Sequence, residues 1–308
     1  MEVTVPGNVL LTGEYMVTEP GGMGIAAAIE KRIFIETEES EIFELHGNWG
    51  EDYLYWTPDH PEKSLLFTHI VKAVSDAHSV ETFPPIRILV DTRPFFTHGK
   101  RKRGFGSSAA VSVGVTFLLQ SLILGRQPSK EETFTVALAA HRNYQGGRGS
   151  GYDIAASLFG GIGLFTGGET PNFTPIDRHL FGFTLVQGLA PVTTSKALVS
   201  YEAWKTAHPG EWLELFSRSN DSASQMRNAA TYEEAVEAFL LAKRVGIELG
   251  EAIGVPAHFK PAHPSDGQFL GLSPYKAVGA GNELAAVLVK ERNLAPFSIA
   301  TQGLLWKD

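Results

Sequence analysis

Gly104-Phe105-Gly106-Ser107-Ser108-Ala109-Ala110, entered from the basic run Lys100-Arg101-Lys102-Arg103, is the most informative stretch of this 308-residue chain. It leads into Ala109 to Leu124, a nearly all-apolar segment that stops at Gly125. That composition predicts a helix buried on most sides, ended by a glycine free to take the left-handed conformation. Small residues ahead of a helix let backbone N–H groups approach an anion, and the helix N-terminus adds partial positive charge. Ser107 and Ser108 can cap the helix or offer a hydroxyl to a phosphate-bound cation. Four consecutive basic residues upstream favour a phosphate loop over an ordinary solvated turn.

Two familiar phosphate loops fail here. Gly104-x-Gly106-x-x-Ala109 formally fits the dinucleotide fingerprint, but a basic loop precedes it where a strand is needed. The acids that follow, Glu131 and Glu132, fall at a predicted helix start and not at a strand end. The nucleotide loop Gly-x4-Gly-Lys-Ser/Thr does not occur anywhere in the chain.

Three more glycine-rich segments accompany it. Pro6-Gly7-Asn8 runs through Gly13-Glu14-Tyr15 to Glu19-Pro20-Gly21-Gly22; Pro274 to Asn282, with Gly279-Ala280-Gly281, precedes the apolar strand Ala285 to Val289. In His141-Arg142-Asn143-Tyr144-Gln145-Gly146-Gly147-Arg148-Gly149-Ser150-Gly151-Tyr152-Asp153, glycines surround an acid that enters the small-residue helix Ile154 to Leu158. Such an acid ordinarily serves the helix dipole, but beside a phosphate loop it becomes a candidate catalytic carboxylate.

Composition sets the class. A net charge of −8 argues against a nucleic-acid binder. The absence of cysteine removes disulfide scaffolds, thiolate metal sites and cysteine nucleophiles. The N-terminal residues lack the pattern of a signal peptide, and the apolar runs are broken before the length of a membrane span, so a soluble cytoplasmic protein is expected. No His-Glu-x-x-His cluster or Gly-x-Ser-x-Gly elbow supports a metallohydrolase or a serine hydrolase.

Ile33 to Thr37 and Ile86 to Val90 read as strands. Ser129 to Asn143 and Thr231 to Ile253 read as helices, each opened by a capping box, through Glu132 and Glu234. The second half reads as strand, helix, helix, strand. Glycines from Gly160 to Gly168 and two prolines after them mark a boundary, giving expected domains 1–165 and 166–308 of an α/β (α+β) protein.

The strings quoted above resemble the GHMP kinase superfamily, named for galactokinase, homoserine kinase, mevalonate kinase and phosphomevalonate kinase. Gly104 to Ala110 is similar to its phosphate loop, with Phe105 in place of Leu. Gly13-Glu14-Tyr15, Glu19-Pro20-Gly21 and Gln145-Gly146 followed by Gly149-Ser150-Gly151-Tyr152-Asp153 look most like the phosphomevalonate kinases. The resemblance implies the GHMP kinase fold, an N-terminal domain like ribosomal protein S5 domain 2 and a ferredoxin-like C-terminal domain. It implies ATP and Mg²⁺ as cofactors, with the phosphates on Gly104, Gly106, Ser107, Ser108 and Ala109. Ser108 matches the position that reaches the metal, Asp153 the catalytic acid, and Lys102 a lysine that serves the nucleotide or the acceptor phosphate. Gly13, Glu14, Tyr15, Arg148, Ser150, Gly279, Ala280 and Gly281 are then expected around the small-molecule substrate.

The chain departs from the family pattern at three places. Asn8 stands where a lysine is usual, Arg142 where mevalonate kinases carry a metal-binding Glu, and Asn282-Glu283-Leu284 where the third motif is glycine-rich. Thr193-Thr194-Ser195-Lys196 resembles a substrate-mouth segment, and equally an ordinary strand end. The excess of cations, with Arg148 near Asp153, favours a phosphorylated acceptor, and hence phosphorylation of phosphomevalonate. Mevalonate or another small alcohol as acceptor, or a nucleotide-binding protein without turnover, remain the alternatives.

Overall fold

The computed structural model describes residues 1–97, 102–176, 180–189, 194–255, 258–263, 270–271, 273–279, 283–290 and 299–307. Lys100, Arg101, Thr193, Ala280, Gly281 and Asn282 lie outside the described residues. The fold is mixed α/β, as expected. It divides into two compact units, each assembled from separate stretches of chain. Unit 1 takes 1–8, 28–160 and 300–308; unit 2 takes 9–27 and 161–299. The expected cut at 165/166 is a single contiguous one, whereas the units interleave: 9–27 packs with the second half and 300–308 with the first.

Unit 1 is built on a sheet whose strand order is β11-β1-β2-β5-β3-β4. These are β1 (Glu2–Leu10), β2 (Met23–Glu39), β3 (Phe43–Trp49), β4 (Asp52–Trp56), β5 (Ile86–Asp91) and β11 (Leu305–Lys307). The predicted strand at 33–37 is the alternating part of β2, where Ile33 and Ile35 are buried between exposed neighbours. Its earlier part, Met23 to Ala28, is small and apolar and carries no period-2 signal, so it escaped the sequence pattern.

Four helices complete the unit: α1 (Leu65–His78), α2 (Ser107–Leu124), α3 (Lys130–Tyr144) and α4 (Tyr152–Phe159). Helix α2 packs against α1, α3 and α4. It is apolar on every side, and is long and apolar enough to cross a membrane by length and composition, yet most of it is buried in the unit. Gly125 ends it in the left-handed conformation, with φ 61°. The capping box of α3 forms as its sequence specifies, with Glu132 N–H donating to Ser129 Oγ at 3.0 Å and Ser129 N–H to the Glu132 carboxylate at 2.6 Å.

In unit 2 the first residues of β2 pair with β6 (Ile162–Thr166), which pairs with β7 (Asn172–Pro175). A second, three-stranded antiparallel sheet runs in the order β8 (Gly182–Gln187), β10 (Leu284–Val289), β9 (Tyr275–Val278). Among the described residues, three complete helices follow β8, where two were expected: α5 (Thr194–Ala207), α6 (Pro209–Asn228) and α7 (Tyr232–Ala252). The Thr194-Ser195-Lys196 segment is thus the start of a helix and not a strand end. Met16, Tyr201, Trp204, Leu215, Val245, Leu249 and Ile253 form the core of these helices. The Thr231 cap of α7 accepts from Glu234 N–H at 3.2 Å.

Candidate functional site

Five of the described helix starts fall into two groups. Ser64, Ser129 and Thr231 cap α1, α3 and α7 with side-chain hydrogen bonds. Gly106 and Gly151 instead cap α2 and α4, in left-handed conformation and with no side-chain acceptor of their own. The first-turn N–H groups of α2 are therefore left for another acceptor, at the positive end of an 18-residue helix.

Gly106 is held from below by Asn8. The buried Asn8 amide donates to Ser157 Oγ at 3.0 Å and reaches the Gly106 carbonyl at 3.5 Å, while its backbone N–H donates to Phe105 O at 3.1 Å. A Cβ at Gly106, where φ is 70°, would fall within 3.0 Å of the Asn8 amide. Phe105 is buried, edge-on to Phe95 with ring centroids 6.0 Å apart. The loop is thus fixed from both sides by packed side chains.

Ser108 and Asp153, on α2 and α4, are joined through a residue of α3. His141 Nε2 lies 3.1 Å from Ser108 Oγ, and His141 Nδ1 lies 3.5 Å from an Asp153 carboxylate oxygen. The imidazole is almost wholly buried, whereas Asp153 keeps 16% of its side chain exposed. The Arg142 guanidinium donates to the carbonyls of Gly149 at 2.9 Å and Ser150 at 3.2 Å. It ties the glycine-rich 146–151 turn back onto α3. Lys102 and Arg148 are exposed, and Lys102 is held by a backbone bridge to Phe96.

The remaining predicted residues gather in unit 2. Gly13 has φ 90°, and a Cβ there would fall within 3.0 Å of the Met23 carbonyl, so the turn before Glu14 requires glycine. Glu14, Tyr15 and Gly279 line a cavity of about 80 Å³, together with Lys243, His258, Tyr275 and Lys276 among others. Lys276 Nζ donates to the Glu14 carboxylate and, at 2.9 Å, to the Ala277 carbonyl. Burial pushes the Glu14 carboxyl up and the Lys276 ammonium down, each partly offset by the other's charge. The Tyr15 phenol is raised too, by burial first and then by the Glu14 charge. Tyr15 stacks on Tyr201 at 5.7 Å, and Lys243 lies over the Tyr275 ring at 3.5 Å.

Residues 66–161 match the family described as GHMP kinases N terminal domain. That match covers about a third of the chain. It spans α1 to α4, and so holds the 104–110 loop, His141 and Asp153. The chain is 26% identical over 178 residues to a phosphomevalonate kinase of Streptomyces sp. (strain CL190), covering 51% of this chain and 46% of that protein. It is 28% identical over 188 residues to a phosphomevalonate kinase of Saccharolobus solfataricus, covering 59% and 53%. The chain thus spans about half the length of the curated relatives it matches. Among solved structures, Streptococcus pneumoniae phosphomevalonate kinase in complex with phosphomevalonate and AMPPNP superposes with a TM-score of 0.77 at 16% identity. That likeness covers 94% of this chain and 92% of that one, and the fold is accordingly the GHMP kinase fold.

Within residues 66–161, the structure brings Ser108 and Asp153 together through a residue that carried no assigned role in the sequence. His141 was visible only as the first letter of a glycine-rich string. A helical histidine bears the same local signature whether it is solvated or, as here, packed against two other helices. Ser157 and Lys276 escaped for the same reason.

Proposed function

We propose that this chain is an ATP-dependent phosphotransferase that phosphorylates phosphomevalonate to its diphosphate. The observation that carries the kinase reading is the juxtaposition of the glycine-capped α2 start with Ser108, His141 and Asp153. The acceptor is inferred from the relatives, which are named phosphomevalonate kinases, and from the phosphomevalonate and AMPPNP bound in the Streptococcus structure.

In this reading Gly104, Gly106, Ser107, Ser108 and Ala109 cradle the nucleotide phosphates with backbone N–H groups. An oxygen of the acceptor phosphate attacks the γ-phosphorus; the new O–P bond forms as the bond to the β-phosphate oxygen breaks, and ADP departs. A phosphomonoester is already largely dianionic at pH 7, with a second pKa of about 6, so no strong base is needed. The larger difficulty is bringing two anions together. Lys102 and Arg148 are the cations assigned to that task, and Asp153 orients the acceptor.

Among the described residues no group of three or more His, Asp or Glu side chains could hold a metal by itself. Ser108 Oγ is the side-chain oxygen assigned here to Mg²⁺ carried on nucleotide phosphates. When bound, the ion would neutralise charge on the β- and γ-phosphoryl oxygens. Ser150 in unit 1, and Glu14, Tyr15 and Gly279 in unit 2, are the described residues assigned to the acceptor.

ADP release with Mg-ATP, measured against phosphomevalonate, mevalonate, homoserine and galactose, tests this. Turnover confined to phosphomevalonate is expected. Turnover on an alcohol alone would overturn the acceptor, and silence on all four with ATP still bound would overturn the enzyme.

A further inference from the structure

His141 occupies the last turn of α3 with 1% of its side chain exposed, enclosed between a hydroxyl on α2 and a carboxylate on α4. A neutral imidazole has one donor and one acceptor nitrogen, and the surroundings decide which is which. The Asp153 carboxylate lies 3.5 Å from Nδ1 and draws the proton to that nitrogen. Nε2 is then the acceptor. The Gln145 amide nitrogen, one turn further on, lies 3.5 Å from the same Nε2 and presents N–H groups to it. With Nδ1 carrying the proton, Ser108 at 3.1 Å would donate its hydroxyl proton to Nε2. Its oxygen lone pairs are thereby left for a cation.

We propose that His141 is a positioning residue that fixes the direction of the Ser108 hydroxyl, so that Ser108 offers oxygen lone pairs, and no proton, to nucleotide-bound Mg²⁺. The inference rests on the kinase reading above and adds to it a buried device with no contact to substrate. The Asp153 carboxylate thus acts on the metal ligand at one remove, by selecting the tautomer of the ring between them. Replacing the ring leaves Ser108 free to turn its proton toward the cation.

The test is calorimetric and does not depend on turnover. Affinity for AMPPNP is measured in MgCl₂ and in EDTA for the unaltered chain, His141→Phe, Ser108→Ala and the double variant. The Mg²⁺-dependent gain in affinity should fall about tenfold in His141→Phe, the scale of one charge-linked hydrogen bond. Affinity in EDTA should stay within about twofold, and the double variant should lose no more than Ser108→Ala alone. His141→Gln, whose amide oxygen can accept from Ser108, should restore most of the gain. If the Phe variant does not fold, His141→Asn, too short to reach Ser108, replaces it with the same expected loss. A full Mg²⁺ gain in the Phe or Asn variant, or an equal loss in both buffers, would overturn the proposal and leave the kinase reading standing. No AMPPNP binding by the unaltered chain in either buffer would overturn both.

Discussion

Lys276 and Glu14, 262 residues apart in sequence, form an ion pair in which the two side chains are only 3% and 10% exposed. Both charges are desolvated, and their shifts show the cost: the carboxyl is pushed up and the ammonium down from their ordinary values, despite their mutual attraction.

Breaking that pair should be worse than removing it. Lys276→Met leaves a carboxylate buried without its cation and is expected to cost about 3–5 kcal/mol. Glu14→Gln with Lys276→Met should recover much of that loss. Urea unfolding of the two singles and the double checks this; additive losses would show that the two side chains act independently.

The seat of Gly106 on Asn8 makes a second coupling. Gly106→Ala puts a Cβ at positive φ, about 1–2 kcal/mol by itself, and drives it into the buried Asn8 amide. The variant should lose thermal stability and nucleotide affinity together. In an Asn8→Ala background, where the amide is gone, the further loss from Gly106→Ala should be smaller. Melting temperatures of the four proteins report the difference.

Asp153→Asn separates the two kinds of acceptor. General-base catalysis contributes about 10²–10⁴-fold where an alcohol must be deprotonated. A phosphate acceptor needs no such base, so with phosphomevalonate kcat should fall by less than about a hundredfold. A larger fall at unchanged KM would show proton abstraction at the rate-limiting step, and with it an alcohol acceptor.

Glu44 in β3 gives the pH prediction. Burial raises its carboxyl, but hydrogen bonds from His46, Ser40 and Arg87 outweigh that and hold it at about 2. Its folded value lies below the unfolded one of about 4.3. Its contribution is therefore present in full above the unfolded value and is lost as pH falls toward the folded one. The stability difference between the unaltered chain and Glu44→Gln should hold steady from pH 7 to 5. It should shrink between pH 4.5 and about 2, as denaturant titrations would record.

What could be read from the chain alone was local. The capping box at Ser129, the side-chain cap at Thr231 (where the Glu234 carboxylate takes the N–H of Ala230 and so leaves the expected box half formed), the stop at Gly125, the alternation at 33–37 and the glycine loop ahead of α2 each rest on a few adjacent residues. Backbone sterics and first-turn hydrogen bonds determine them wherever the segment ends up. The 104–110 string also carried the family resemblance, because close approach of backbone to phosphate constrains residue type directly.

Only the tertiary structure decided the partners. His141 meets Ser108 across 33 residues, Asn8 meets Ser157 across 149, and Glu14 meets Lys276 across 262. The interleaving of the two units is of the same kind, since 9–27 joins the second half through pairing of β2 with β6. These pairings follow from which helix and sheet faces pack together, summed over many side chains. No short window of sequence carries that sum, and so the ring that joins the predicted metal ligand to the predicted acid emerged only once α2, α3 and α4 were in place.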